Sequence, residues 1–198
     1  MGWNGFWTRT GMNTLLRMKH WQIFLLVVGT AIILQMIQNI WYFSAGDAYP
    51  LPPQNILGLV LVVPLLIYFA WIAAVGLRFS RSTLSPSMKI GRFRTSLWIS
   101  CISHILLLVY FWYYPRYLAQ AGEEEVVPVS VITILVFVAL LTLFYCLSFL
   151  AKAVVQAERS NKIVSAEYFS EFIMALMFPI GIWFLQPRIN RLEKEAAV

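Results

Sequence analysis

The sequence predicts an all-α polytopic membrane helix bundle, with four transmembrane helices followed by a C-terminal re-entrant hairpin or a short fifth helix. Three observations predict it. The 198 residues are 60% hydrophobic and 12% charged, with a mean hydropathy of +0.73. Soluble domains have about 45–50% apolar and about 25% charged residues. Four apolar runs are each long enough to cross a hydrocarbon core of about 30 Å. Lysine and arginine lie between those runs and strongly favour alternate connections.

Residues 1–20 mix Trp3, Phe6, Trp7, Leu15, Leu16 and Met18 with Arg9, Arg17 and Lys19. This composition suits a cytoplasmic or interfacial segment, or a loose tail. The run that follows is too long for the apolar region of a signal peptide and has no clear small-residue cleavage site. It is therefore read as the first membrane helix, Trp21 to Phe43, ending in the aromatic belt Trp41-Tyr42-Phe43. Phe6 stands where a myristoylation motif needs Ser or Thr. Asp47, Pro50, Pro52 and Pro53 mark the next loop.

The second run is Ile56 to Leu77. It contains Pro64, which membrane helices tolerate, and Ala70, Ala73, Ala74 and Gly76, which permit close helix approach. A basic loop follows with Arg78, Arg81, Lys89, Arg92 and Arg94. The third run, Thr95 to Tyr114, ends in a second aromatic belt before Pro115. Glu123, Glu124 and Glu125 precede Pro128 and the fourth run, Val129 to Ala151. Acidic groups are favoured beside that helix N-terminus, so no cation site is needed to explain them. The spans thus occupy residues 21–151. The helix is expected to continue as an exposed, cytoplasmic connection over residues 152–167, through Lys152, Gln156, Glu158 and Arg159.

Residues 168–198 comprise an apolar segment and a basic tail. Only the stretch Phe172 to Pro187 separates Glu171 from Arg188, short of the usual span of about 20 residues. Pro179 and Gly181 sit mid-way, where proline removes a helix donor and glycine admits positive φ. A turn is therefore expected at Pro179-Ile180-Gly181, with Trp183 and Gln186 near the cytoplasmic headgroups.

With the N-terminus in the cytoplasm, eleven Lys/Arg lie inside and Arg116 alone lies outside, beside Asp47 and the three glutamates. A crossing final segment would add Arg188, Arg191 and Lys194 to the outside. The charge pattern thus favours a hairpin that returns to the cytoplasm.

Candidate chemistry is sparse. His104, with Cys101 one turn earlier, is a weak candidate for haem or metal ligation. A structural hydrogen bond across helices is the commoner explanation for a lone intramembrane histidine. Gln35, Gln38 and Asn39 share one face of the first helix, as a polar path or as interhelical hydrogen-bonding groups. Glu171 is a candidate proton or cation site, or a first-turn acid favoured by its helix dipole. Cys101 and Cys146 lie inside apolar runs and form no disulfide framework. There is no Walker A loop, GxGxxG, GxSxG, HExxH or CxxC motif. No catalytic residue, metal site or cofactor is predicted. The net charge of +6 sits in loops rather than in a basic stripe, which argues against nucleic acid as a partner.

The string Pro179-Ile180-Gly181-Ile182-Trp183, followed by Gln186-Pro187 and Asn190, resembles the ending of a group of small, functionally uncharacterised bacterial multi-pass membrane proteins. The resemblance covers roughly residues 148–192. It implies a bacterial inner-membrane location and the same layout, and brings no activity with it. The expected partners are the lipid bilayer and other membrane protein subunits. The function expected is that of a non-catalytic subunit or assembly factor of a larger complex. A small oligomeric transporter or channel is the alternative, and a haem protein or membrane enzyme using His104 the third.

Overall fold

The computed structural model describes residues 14–45, 54–82, 88–121, 129–161 and 167–195. Glu123, Glu124, Glu125 and Asp47 lie outside the described residues. Every regular element among those described is helical. Helix α1 (His20–Phe24) runs through one π-helical turn (Leu25–Gly29) into α2 (Thr30–Ala45). Then follow α3 (Gln54–Ser82), α4 (Ile90–Ala121), α5 (Val129–Ser160), α6 (Tyr168–Leu176) and α7 (Phe178–Glu195).

Four stretches are long and apolar enough to cross a membrane: His20–Ile37, Val62–Ser80, Ile90–Phe111 and Ser130–Ser160. They match the four runs read from the sequence. The helices overrun those runs. α4 continues past Pro115 to Ala121, and α3 and α5 reach Ser82 and Ser160. At about 1.5 Å per residue, 32-residue helices such as α4 and α5 are about 48 Å long, well beyond the hydrocarbon core.

The core is concentrated at one end of the bundle. There α3 is buried continuously from Trp71 to Leu77, and α5 buries Cys146, Leu147, Leu150, Ala153 and Val154. Gly76 makes the close helix approach that the small residues of α3 promised. A Cβ there would lie 2.7 Å from Phe93 Cζ, and the Phe93 ring is itself stacked on Phe149 at 4.2 Å. Ser100 of α4 adds a hydroxyl bond to the Ala139 carbonyl of α5 at 3.5 Å.

The last segment is two helices, not one. The sequence stretch between Glu171 and Arg188 would extend about 25 Å as a continuous helix. Instead the two side chains form an ion pair, so the chain doubles back between them. The reversal is at Met177 (φ −84°, ψ 44°) rather than at Pro179-Ile180-Gly181. Met177 N–H completes α6 by donating to the Ile173 carbonyl at 2.8 Å. Its own carbonyl accepts from Ile180 and Gly181, at 2.9 and 2.8 Å, and so starts α7.

Proline and glycine therefore have different tasks from those expected. Pro179 lies in the first turn of α7, where a missing N–H costs little. Gly181 is helical, and what matters is its missing side chain. A Cβ there would stand 1.7 Å from the Met174 carbonyl oxygen of α6.

The stretch after Ala151 is only partly exposed: Lys152 and Arg159 are exposed as expected, Glu158 is not, and residues 162–166 lie outside the described residues. Ala153, Val154, Val155, Ala157 and Glu158 are buried, because the hairpin packs over this end of α5. Phe144 and Phe172 approach with ring centroids 6.2 Å apart, and Lys152 sits 5.7 Å above the Tyr168 ring. Gly181→Ala should therefore destabilise the protein by about 3 kcal/mol or more, since rigid backbone has to move. Gly91→Ala is the control, because a Cβ at Gly91 meets nothing within 4 Å. Thermal unfolding in mild detergent should separate the two, with Gly91→Ala unchanged or slightly stabilised.

Candidate functional site

Buried polar groups gather where α3, α5, the hairpin and the N-terminal segment meet. Arg188 of α7 is their centre. Its guanidinium grips Glu158 of α5 in bidentate fashion, at 2.8 Å from Nε to Oε1 and 2.5 Å from Nη2 to Oε2. Nη1 donates to Oε1 of Glu171 on α6. Glu171 is fully buried and Glu158 nearly so. Such a fork-to-carboxylate geometry is the strong form of ion pair. One cation faces two carboxylates, and Glu171 Oε2 is buried without a hydrogen-bond partner. Burial pushes the Glu171 carboxyl above its ordinary value, against the opposing pull of Arg188.

Gln186 forms a second clamp, two residues before Arg188 and so on the other side of α7. Its Oε1 accepts from Trp71 Nε1 at 2.9 Å. Its amide N–H groups are shared among the Leu16 and Met18 carbonyls, at 3.0 and 3.1 Å, and Asn190 Oδ1 at 3.1 Å. Asn190 Nδ2 donates to the same Met18 carbonyl at 3.2 Å. The chain leaves a short helical turn at residues 14–17 before restarting at His20, so these carbonyls lack helical donors. Gln186 and Asn190, four residues apart on one face of α7, supply donors to them. The segment just before the first span is thus docked rather than loose, with Leu16 fully buried. Gln186 lies inside the protein, not at its margin. A third tie, Arg78 to Glu193 at 2.9 and 3.1 Å, fixes the ends of α3 and α7 together.

The residues singled out from the sequence fall into separate places. Glu171 and Gly181 belong to the hairpin packing, and Pro179 to its first turn. Gln35 and Asn39 are exposed on α2 and bond each other at 3.2 Å. They make no contact with the hairpin cluster. The Gln38 side chain lies outside the described ones. His104 does not hydrogen-bond across helices. Its Nδ1 lies 2.7 Å from the Ser100 carbonyl in its own helix, and its ring packs edge-on to Phe69 at 5.4 Å. Cys101 and Cys146 are free thiols. Among the described residues no group of three or more His, Cys, Asp or Glu could hold a metal ion.

Sequence reasoning counted Arg188 as a tail charge and Glu158 as an exposed one. A signal was available in hindsight: a glutamate at the start of a short apolar segment and an arginine at its end face each other only if the segment folds back. No protein-family model, curated protein or solved structure matches the chain.

Arg188→Met should cost about 3–5 kcal/mol, because two buried carboxylates lose their counter-charge. Combining it with Glu158→Gln and Glu171→Gln should restore most of that loss. The pH dependence has a defined sign. A carboxyl raised in the folded state binds its proton more tightly there than when unfolded. Its contribution is present at low pH and is lost as pH rises through the raised value. Melting temperature in detergent should therefore fall as pH climbs above the ordinary carboxylate range, and Glu171→Gln should flatten that dependence.

Proposed function

We propose that this chain is a non-catalytic subunit or assembly factor of a larger bacterial inner-membrane complex, with its N-terminus in the cytoplasm and a hairpin that re-enters from that side. The observation that carries the reading is the exposed Gln35–Asn39 pair. Both carboxamides lie within the apolar run of the first span, which continues through Ile40 to Phe43. The pair satisfies one donor and one acceptor, and no other described residue bonds the remaining amide groups. Leaving carboxamide donors and acceptors in hydrocarbon costs several kcal/mol. A neighbouring helix that pairs with them removes that cost, as polar residues do in helix association. Beside the pair lie Ile32 and Met36, and further round the helix Ile33, Ile37 and Ile40, each more than half exposed.

The charged groups support the subunit reading in another way. Arg78, Arg188, Glu158, Glu171 and Glu193 are bound to one another. They hold helices together rather than line a polar path towards Gln35. The positive-inside count supports the orientation, and these ties bring Arg78 and Glu158 to the base of the hairpin.

Tagged full-length protein purified in mild detergent should carry a stoichiometric protein partner. The double variant Gln35→Leu/Asn39→Leu should lose it while keeping its melting temperature. A homo-oligomer that supports ion flux would favour a transporter instead. A reporter enzyme active only outside the cytoplasm should be inactive when fused after Val198. Strong activity there would reverse the topology.

A further inference from the structure

We propose that the groove above the hairpin tip binds a neutral membrane lipid bearing a hydroxyl group, whose single proton is donated to His104 Nε2. The proposal rests on the chain's being embedded in a bilayer, but not on its having a protein partner.

The groove follows from the length of the hairpin. The tip touches the middle of the α3 span. Tyr68 Oη donates to the Ala175 carbonyl at 3.4 Å, and the Phe178 ring meets Tyr68 and Trp71 at 4.6 and 5.2 Å between centroids. Trp71 is at the centre of the span Val62–Ser80. The hairpin therefore fills only half the depth of the bundle. Beyond its tip an open groove of about 610 Å³ remains, with Leu176 and Phe178 as its floor and Ala31, Leu107 and Leu143 among its walls. A 150 Å³ apolar cavity takes one benzene, so this volume takes on the order of 20 carbon atoms, enough for one lipid chain.

Two polar side chains line this apolar space, His104 and Tyr68. A carbonyl only accepts, so in the neutral imidazole the 2.7 Å contact with Ser100 places the proton on Nδ1. Nε2 then carries a lone pair, and no described residue bonds to it. Tyr68 has directed its proton to Ala175, which leaves its oxygen with accepting capacity. Both open positions are acceptors. The matching ligand is a donor, and a hydroxyl on an apolar chain supplies one without bringing a charge into the span. A carbonyl or ester lipid offers no proton to either group.

The test uses purified full-length protein in lipid vesicles and a diazirine-bearing long-chain alcohol. Photolabelling should fall on peptides containing Ala31, Leu107 and Phe178. Ala31→Phe, which fills the groove, should abolish that labelling. The methyl ether of the same probe, which cannot donate, should label about three- to tenfold less at equal concentration, as for one lost hydrogen bond. His104→Phe should reduce labelling by the alcohol similarly and leave labelling by the ether unchanged, whereas His104→Gln should retain preference for the alcohol. Because the ether comparison uses the unaltered protein, a misfolded variant does not remove the test. Labelling elsewhere, labelling that survives Ala31→Phe, or equal labelling by alcohol and ether would each overturn the proposal. Retention of the chain in the membrane pellet after carbonate extraction checks the bilayer reading separately.

Discussion

Arg188 holding Glu158 and Glu171 is the contact on which the rest of this end of the protein depends. Glu158 belongs to the last turns of α5, Glu171 to the first turn of α6 and Arg188 to the middle of α7. One guanidinium therefore closes the hairpin and fastens it to the fourth span. Once α7 is held there, Gln186 and Asn190 stand opposite the carbonyls of Leu16 and Met18, and Glu193 stands opposite Arg78. Buried ion pairs are weak evidence of net stability, because desolvation offsets their attraction. Their consequence here is geometric: removing one member leaves a charge that no other contact can satisfy, so alternative packings of the hairpin are penalised.

A hairpin whose tip reaches only the middle of α3 has two results. At the end it fills, it supplies the large apolar residues Ile182, Leu185, Ile189 and Leu192 to a tightly buried core. At the end it does not reach, the helices lack a central filler and enclose an open groove. The two halves of the bundle are thus physically unlike. One is closed by polar clamps and aromatic packing. The other presents apolar faces, one histidine, one tyrosine and an exposed carboxamide pair to whatever surrounds it.

The string Pro179-Ile180-Gly181-Ile182-Trp183, with Gln186 and Asn190, has a physical explanation in this chain. Pro179 occupies a helix first turn. Gly181 lets α7 lie against the backbone of α6 at Met174. Trp183 packs on His20 and Phe24, with centroids 4.4 and 5.9 Å apart. Gln186 and Asn190 cap an interrupted N-terminal turn. Each of these is a packing or capping task.

The four helices long and apolar enough to span a membrane, their approximate limits and the double-back of the last segment were legible in the sequence, because hydropathy, length and charge can be read along the chain without knowing its packing. Gly76 was legible for the same reason: small residues in an apolar run have few other uses. The position of the reversal was not, since Pro179 and Gly181 look alike as turn formers and as first-turn and close-contact residues until a neighbouring backbone is present. The Glu158–Arg188–Glu171 cluster, the Gln186 clamp and the groove at His104 bring together residues up to 172 positions apart. Their existence is decided by which faces of α3, α5 and α7 meet, and that is set by packing and hydrogen-bond satisfaction across helices, which no single segment contains.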